Sequence, residues 1–392
     1  MPTLQTFKLA PVSGQERLFQ IDSLRGFASL GIILVNIYAF SGYGWMPEEQ
    51  MRALPTARWD QIIATILNVL INTKFITLFS ILFGTGFYLQ LERAQQQSLN
   101  FQPYFAKRML ILMLLACIHA YVIWYGDIIR YYAAAGLLLI LVRNWSPRKI
   151  IWLCIIFSVP VTGLVFILKS AIDLTPDNYP SREQILNAFK SSSYRQMLQM
   201  NWRIDPVHNF LLDSPITITS VTGKILLGFW LGQIGFFRSV DRYSKLLQWW
   251  IWGGLTVGLT SSVAYWAIES GYLSLDSPWL LWVPFAVAGG LICHSLFYLA
   301  AFLRLHEKFP EAVIFRTFAV VGKMALSNYI GQTLLCMFIF YPSLPGFKLM
   351  GKVGPVSLLV ISLIVFLVQV IISRFWLKYH QQGPLEQVWK NL

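Results

Sequence analysis

Charge is scarce in this sequence. Asp, Glu, Lys and Arg together supply 12% of its 392 residues, roughly half the share usual in a soluble domain. Acid is scarcer still, with 18 Asp and Glu against 31 Lys and Arg, a net charge of +13. Such a balance suits nucleic acid where the cations gather in one patch with interleaved aromatics. Here they fall between apolar runs, so no nucleic-acid partner is expected. Cysteine is limited to Cys117, Cys154, Cys293 and Cys336, each in an apolar segment and none in a CxxC pair; neither a disulfide framework nor a thiolate zinc site is indicated. The five histidines share no metal-ligand spacing, so neither a metal nor a permanently bound cofactor is expected. Residues 1–20 carry Lys8, Glu16 and Arg17 but no apolar core or small-residue cleavage site. They read as a cytoplasmic tail rather than a signal peptide. Low-complexity tracts and convincing internal or inverted repeats are also missing, which weighs against many transporter folds.

What fills the chain is apolar: 56% of residues are hydrophobic and the mean hydropathy is +0.56. Apolar runs occupy 24–41, 74–91, 107–126, 128–142, 149–169, 216–237, 246–268, 279–303, 317–341 and 355–378. A spanning helix needs about 20 such residues, so 128–142 is short and would borrow from its flanks. Residues 60–71 form an amphipathic run suited to the membrane interface or to extending the second span. The expected fold is an all-α polytopic membrane protein with about ten transmembrane helices. Lys and Arg concentrate in alternate connections, at Arg93, Lys107 and Arg108, at Arg143, Arg148 and Lys149, and at Arg304, Lys308 and Arg316. That bias places both termini in the cytoplasm. The organisation read from this is a tail (1–20), an N-terminal bundle of five spans (21–169), an extracytoplasmic loop (170–215), a C-terminal bundle of five spans (216–378) and a cytoplasmic tail (379–392). The loop includes "DLTPDNYPSREQ" and the amphipathic "EQILNAFKSSSYRQMLQMNW"; a connection of that length suits a lid or binding loop, or a linker.

Polar side chains inside the spans are costly unless partnered, and their depths can be compared at about 1.5 Å per residue. Asn36 lies roughly 16 Å above Arg25, and His119 roughly 16 Å above Arg108, so the two can meet near mid-membrane. His294, Asn328, Gln332 and Gln369 fall at similar depths. Each amide has a structural alternative as hydrogen-bonding glue between helices. A histidine there is harder to explain structurally, because it can take and give a proton near neutral pH. Asp127 follows His119 by eight residues, about two turns along one face if the helix continues, and could orient the imidazole or cap the next span. At the inner side, Asp22, Arg25, Arg108 and Lys323 mark span ends. They read either as ordinary positive-inside residues with their local partners or as a mouth for an anionic ligand. Lys74 starts its span near the outer surface in this topology, unless 60–91 folds as a re-entrant pair.

"IDSLRGFASLGIILVNI", "KFITLFSILFGTGF", "RMLILMLLACIHAYVIWYGDIIRYYA", "GKILLGFWLGQIGFF", "GKMALSNYIGQTLL" and "GPLEQVWK" resemble, in the same order, the YeiB-type bacterial inner-membrane proteins, a family classed as a domain of unknown function. Its opening helix is similar to that of the transmembrane acyltransferase superfamily, which includes enzymes modifying cell-surface sugars and the lysosomal heparan-glucosaminide acetyltransferase. The resemblance implies a multi-pass bacterial inner-membrane protein. It also implies transfer of an acyl group from acetyl-CoA or another acyl-CoA to an extracytoplasmic hydroxyl or amine on a cell-surface glycan or lipid. In that reading His119 is general base, Asp127 orients it, and Asn36, with Asn328, stabilises the oxyanion. Arg25, Arg108 and Lys323 hold donor phosphates. The final motif departs from the family pattern, with Gln382 before Gly383, Gln387 in place of Trp, and Lys390 in place of Arg. These changes point to docking rather than catalysis for the tail. A transporter or lipid flippase with the same polar cavity is the alternative, and a non-catalytic scaffold the third.

Overall fold

The computed structural model describes residues 19–171, 178–205, 214–274 and 281–391; most of the expected N-terminal tail and both ends of the 170–215 loop lie outside this range. Within it, regular secondary structure is helical. This is the arrangement that satisfies every backbone amide within a segment when no water is at hand. The helices are α1 (Phe19–Ser41), α2 (Glu48–Arg52), α3 (Ala57–Leu70), α4 (Lys74–Gln96), α5 (Phe101–Ile118), α6 (Ile129–Val142), α7 (Pro147–Ile156) and α8 (Thr162–Ala171). They continue with α9 (Arg182–Lys190), α10 (Tyr194–Ile204), α11 (Ser214–Gln233), α12 (Ser244–Gly253), α13 (Leu259–Glu269), α14 (Val283–Lys308), α15 (Val313–Gly322), α16 (Ala325–Phe340), α17 (Pro355–Trp376) and α18 (Pro384–Asn391). Among the described residues, six stretches are long and apolar enough to cross a membrane on their own, and Ile129–Val142, Val313–Gly322 and Ala325–Phe340 are shorter apolar helices. The protein is an all-α polytopic membrane protein.

Two spans differ from the expected single helices. The amphipathic run is α3, which feeds α4 through Ile71–Thr73, where Thr73 turns the chain at φ 70°. The ninth run is broken at Lys323 and Met324, so α15 stops and α16 restarts. π-helical turns carry α7 into α8 across Pro160, and α12 into α13; Pro160 removes one backbone donor there, a recognised cause of such bends.

Elements from both halves of the sequence interleave. α1 lies against α15 backbone to backbone: a Cβ on Gly26 would sit 1.9 Å from the Phe318 carbonyl oxygen, and one on Gly322 1.8 Å from that of Asp22. Ser23 Oγ closes the contact by donating to the Phe315 carbonyl at 2.5 Å. α4 meets α11 the same way, with Gly84 against the Ile225 carbonyl and Gly228 against that of Ile81. Small residues at such crossings let dispersion and polar contacts act where lipid offers no hydrophobic drive. α4 runs antiparallel to α1, since Gly86 faces Arg25 and Phe75 reaches Gly31. Lys74, beside Phe75, is therefore buried partway along the bundle rather than at its outer surface, where the topology had placed it. Its Nζ donates to the Asn68 carbonyl at 3.3 Å.

The basic connections gather at one end, where Arg238 pairs with Glu92, Arg374 donates to Thr317, and Arg304 donates to Ser244. The opposite end is capped by the α9–α10 hairpin. α9 opens on a capping box made by Ser181 and Gln184, and the hairpin turns Leu186, Phe189, Met197 and Met200 inward. Phe189 packs on Trp45, Tyr125 and Tyr341. Tyr194 and Asn201 donate to the carbonyls of Val122 and Ile123.

Candidate functional site

His119 stands where α5 gives way to a π-helical turn, His119–Ile123, followed by extended Trp124. The helix therefore does not continue to Asp127 as the spacing arithmetic assumed. The chain instead folds back through Gly126, which packs so tightly under the Trp124 indole that a Cβ would lie 2.2 Å from it; Trp124 itself stacks on Phe40 at 3.9 Å. By this route Asp127 Oδ2 reaches His119 Nδ1 at 2.8 Å. The second carboxylate oxygen accepts from the Arg130 amide at 2.9 Å, so one side chain bonds both the imidazole and the first turn of α6. On the far edge of the imidazole, Nε2 lies 3.0 Å from Thr333 Oγ1 of α16. His119, Asp127 and Thr333 are all buried.

The carboxylate is tied onward to the capped end. Arg130 Nε is 3.6 Å from Asp127 Oδ1, and its guanidinium makes a two-pronged pair with Asp205 of the hairpin, at 2.5 and 3.1 Å. Tyr121 donates to the same Asp205 at 3.2 Å. Buried ions are tolerated where each finds such partners. Neither Arg130 nor Asp205 stands out in the sequence, because only the fold brings a loop acid onto the start of α6.

From the basic end a cavity of about 330 Å³ enters the bundle. Four cations, Arg25, Arg93, Arg108 and Lys323, and two acids, Asp22 and Glu386, line it. Asp22 lies 3.3 Å from Arg25. Deeper walls are apolar and aromatic, with Phe79, Phe83, Phe87 and Phe105, and the innermost lining includes Ile128, Tyr132 and Tyr329. Tyr329 divides the cavity from the imidazole: its ring lies 5.4 Å from that of His119, and its hydroxyl is 3.4 Å from both the Gly126 carbonyl and the Ile128 amide.

The closing motif forms α18, which enters the mouth of this cavity. Glu386 Oε1 accepts from the amides of Leu326 and Ser327, at 2.7 and 3.1 Å, while Oε2 takes the Ser327 hydroxyl. These are the first-turn amides of α16, left without intrahelical partners by the break at Lys323 and Met324. Trp389 lies over the Arg108 guanidinium at 4.1 Å and donates to the Arg108 carbonyl. The tail thus docks by its Glu and a later Trp, neither of which is among the departures from the family pattern.

The fold brings Asp22, Arg25, Arg108 and Lys323 to one cavity and joins His119 to Asp127 behind it. Other expected residues lie elsewhere. Asn36 is half-buried, makes no hydrogen bond to the described residues, and is not part of the cavity lining. Asn328 and Gln332 form a helix-bonding cluster: Asn328 donates to Val321 and Ser373, and Gln332 to Ser29 and Gln369. His294 pairs with Ser262 at 2.7 Å and stacks on Tyr298, a separate polar spot between α13 and α14. Thr333, Tyr329, Arg93 and Glu386 were not singled out by sequence reasoning. Arg93 and Glu386 carried a signal, a cation beside an expected inner mouth and an acid in a family-like motif.

Residues 231–392 match the family described as "Protein of unknown function (DUF418)". Similarity to curated proteins runs along nearly the whole chain. It is 28% identical to "Uncharacterized protein YxaH" of Bacillus subtilis, over 98% of this chain and 96% of that relative. It is also 28% identical to "Uncharacterized protein YeiB" of Escherichia coli, over 96% of each, and to an uncharacterized 39.9 kDa protein of Bacillus acidopullulyticus, over 97% of this chain and 95% of that one. A family of unknown function thus matches the C-terminal part of the chain, and the similarity to these uncharacterized bacterial proteins extends along nearly its whole length.

Proposed function

We propose that this protein is an integral-membrane acyltransferase that draws an acyl group, from acetyl-CoA or a related donor, out of the cytoplasm and delivers it to a hydroxyl or amine acceptor beyond the membrane. The observation that carries this reading is the cavity itself: a cationic mouth leads through aromatic walls to Tyr329, and immediately behind Tyr329 is a His–Asp pair. Arg25, Arg93, Arg108 and Lys323 match the phosphates of such a donor, since guanidinium and ammonium groups bind phosphate by charge-assisted hydrogen bonds. The apolar depth suits an acyl thioester and excludes water that would hydrolyse it. The pairing of Asp127 with His119 Nδ1 leaves Nε2 as the atom that takes a proton from a nucleophile. The basic end is assigned to the cytoplasm by its charge, in the inner membrane of a bacterium, and the hairpin end would meet a glycan or lipid acceptor. Membrane lipid surrounds the spans in either case.

Inside-out vesicles enriched in the protein, supplied with labelled acetyl-CoA, test this directly. Label should appear covalently on extracted lipid or glycan, and right-side-out vesicles should give none. Label accumulating unreacted in the lumen would instead support the transport reading, for which the buried chain His119–Asp127–Arg130–Asp205 offers a proton path. No uptake and no transfer would reject both.

A further inference from the structure

We infer that Thr333 is the nucleophile of this site and carries the acyl group as a covalent ester between donor and acceptor; the inference rests on the acyl-transfer reading above. An ionised carboxylate only accepts hydrogen bonds, so Asp127 Oδ2, 2.8 Å away, requires a proton on His119 Nδ1. The neutral imidazole then has a bare lone pair at Nε2, and the group facing it at 3.0 Å is the Thr333 hydroxyl. With the proton on Nδ1, Thr333 donates to His119 at 3.0 Å in place of its longer bond, 3.4 Å, to the Tyr329 carbonyl. Nucleophile, base and orienting acid stand in the order and spacing of an activated hydroxyl. An outside acceptor cannot reach Nε2 without displacing Thr333, so the base is aimed at the threonine.

Access comes from Tyr329, one turn earlier on α16. Its hydroxyl contacts are at the long limit of hydrogen bonding, and rotation of the ring joins the cavity to Thr333. In the first half-reaction Thr333 Oγ attacks the thioester carbonyl, its proton passes to His119 Nε2, the C–S bond breaks, and the thiolate leaves with that proton as free thiol. In the second, the acceptor hydroxyl or amine gives its proton to Nε2 and attacks the threonyl ester. The ester C–O bond breaks and Thr333 regains its proton. No oxidant or metal enters the balance. Splitting the transfer in two lets donor and acceptor use opposite ends of the bundle at different times.

The purified full-length protein, without acceptor, is treated in parallel with p-nitrophenyl acetate and with acetyl-CoA, quenched, and mapped by mass over residues 325–341. Expected are a p-nitrophenolate burst of one equivalent per chain and an acetyl group on Thr333 from either reagent. Thr333→Val, an isosteric change checked for folding by its elution profile, should lose both; Thr333→Ser should keep both. If acetyl-CoA is consumed but Thr333 is never acetylated, or if Thr333→Val turns over at the wild-type rate, the nucleophile is wrong and the acyl-transfer reading stands. Acetylation of Thr333 by p-nitrophenyl acetate with acetyl-CoA inert would support the nucleophile and overturn the donor. Inertness to both overturns the covalent ester, and thiol release with acceptor present then decides the reading beneath it.

Discussion

Arg130 and Asp205 form a buried two-pronged ion pair that locks the α9–α10 hairpin onto the segment just beyond His119 and Asp127. Removing Asp205 strips the buried Arg130 of its two-pronged partner and leaves it only the longer 3.6 Å contact to Asp127, which costs about 3–5 kcal/mol. Asp205→Ala should therefore destabilise the protein by that order, read as a lowered midpoint in thermal unfolding in detergent. Arg130→Met combined with Asp205→Leu should recover much of the loss. A double variant no more stable than Asp205→Ala would show that the pair acts through something other than charge balance.

Glu386 does for α16 what an N-terminal side-chain cap does within a helix, but from the far end of the chain. Glu386→Ala should cost about 1–2 kcal/mol and accelerate hydrogen exchange at the amides of Leu326 and Ser327, with Trp389 released from Arg108. Unchanged exchange at those two amides would contradict the docking described.

The cationic mouth predicts where donor affinity resides. Arg108→Gln and Lys323→Gln should each weaken binding of coenzyme A by roughly tenfold or more, the lower end of the about 1.5–3 kcal/mol that a charged hydrogen bond contributes. The loss should shrink as salt rises. Calorimetric titration checks this, and equal affinity in wild type and both variants would remove the phosphate role from the mouth.

The glycine crossings predict a purely structural effect. A Cβ at Gly322 meets the Asp22 carbonyl, so Gly322→Val must separate α1 from α15 and should cost at least about 1–3 kcal/mol. The same change at Gly253, where nothing lies within 4 Å, should cost less. Thermal midpoints of the two variants compare them, and equal losses would argue against the close crossing.

Much of the architecture was legible because hydropathy dictates it: among the described residues the apolar runs are largely helical, and Arg25, Arg108 and Lys323 line one cavity as the ends of their runs implied. The helix breaks were not legible. Thr73 has no proline or glycine beside it, and although Gly322 ends α15, the carboxylate that holds the start of α16 lies sixty residues away in sequence. Depth arithmetic put Asn36 level with His119 but could not say which way it faced around the helix axis, and neighbouring helices decided that. Asp127 met His119 as expected, though through a π turn and a glycine fold-back that periodicity cannot encode. Thr333 escaped notice because a threonine in an apolar helix is ordinary until a histidine is found against it.

In the proposed acyl transfer, His119 removes a proton and the basic cavity supplies the donor. The most direct measurement is the rate of free thiol release from acetyl-CoA by the purified protein, wild type beside His119→Gln, in the presence of extracted cell-envelope acceptors. That role of His119 predicts release by the wild type, and a rate lower by about 10²–10⁴ in the variant, the usual contribution of a positioned base. Release at equal rates, or none from the wild type, would contradict it.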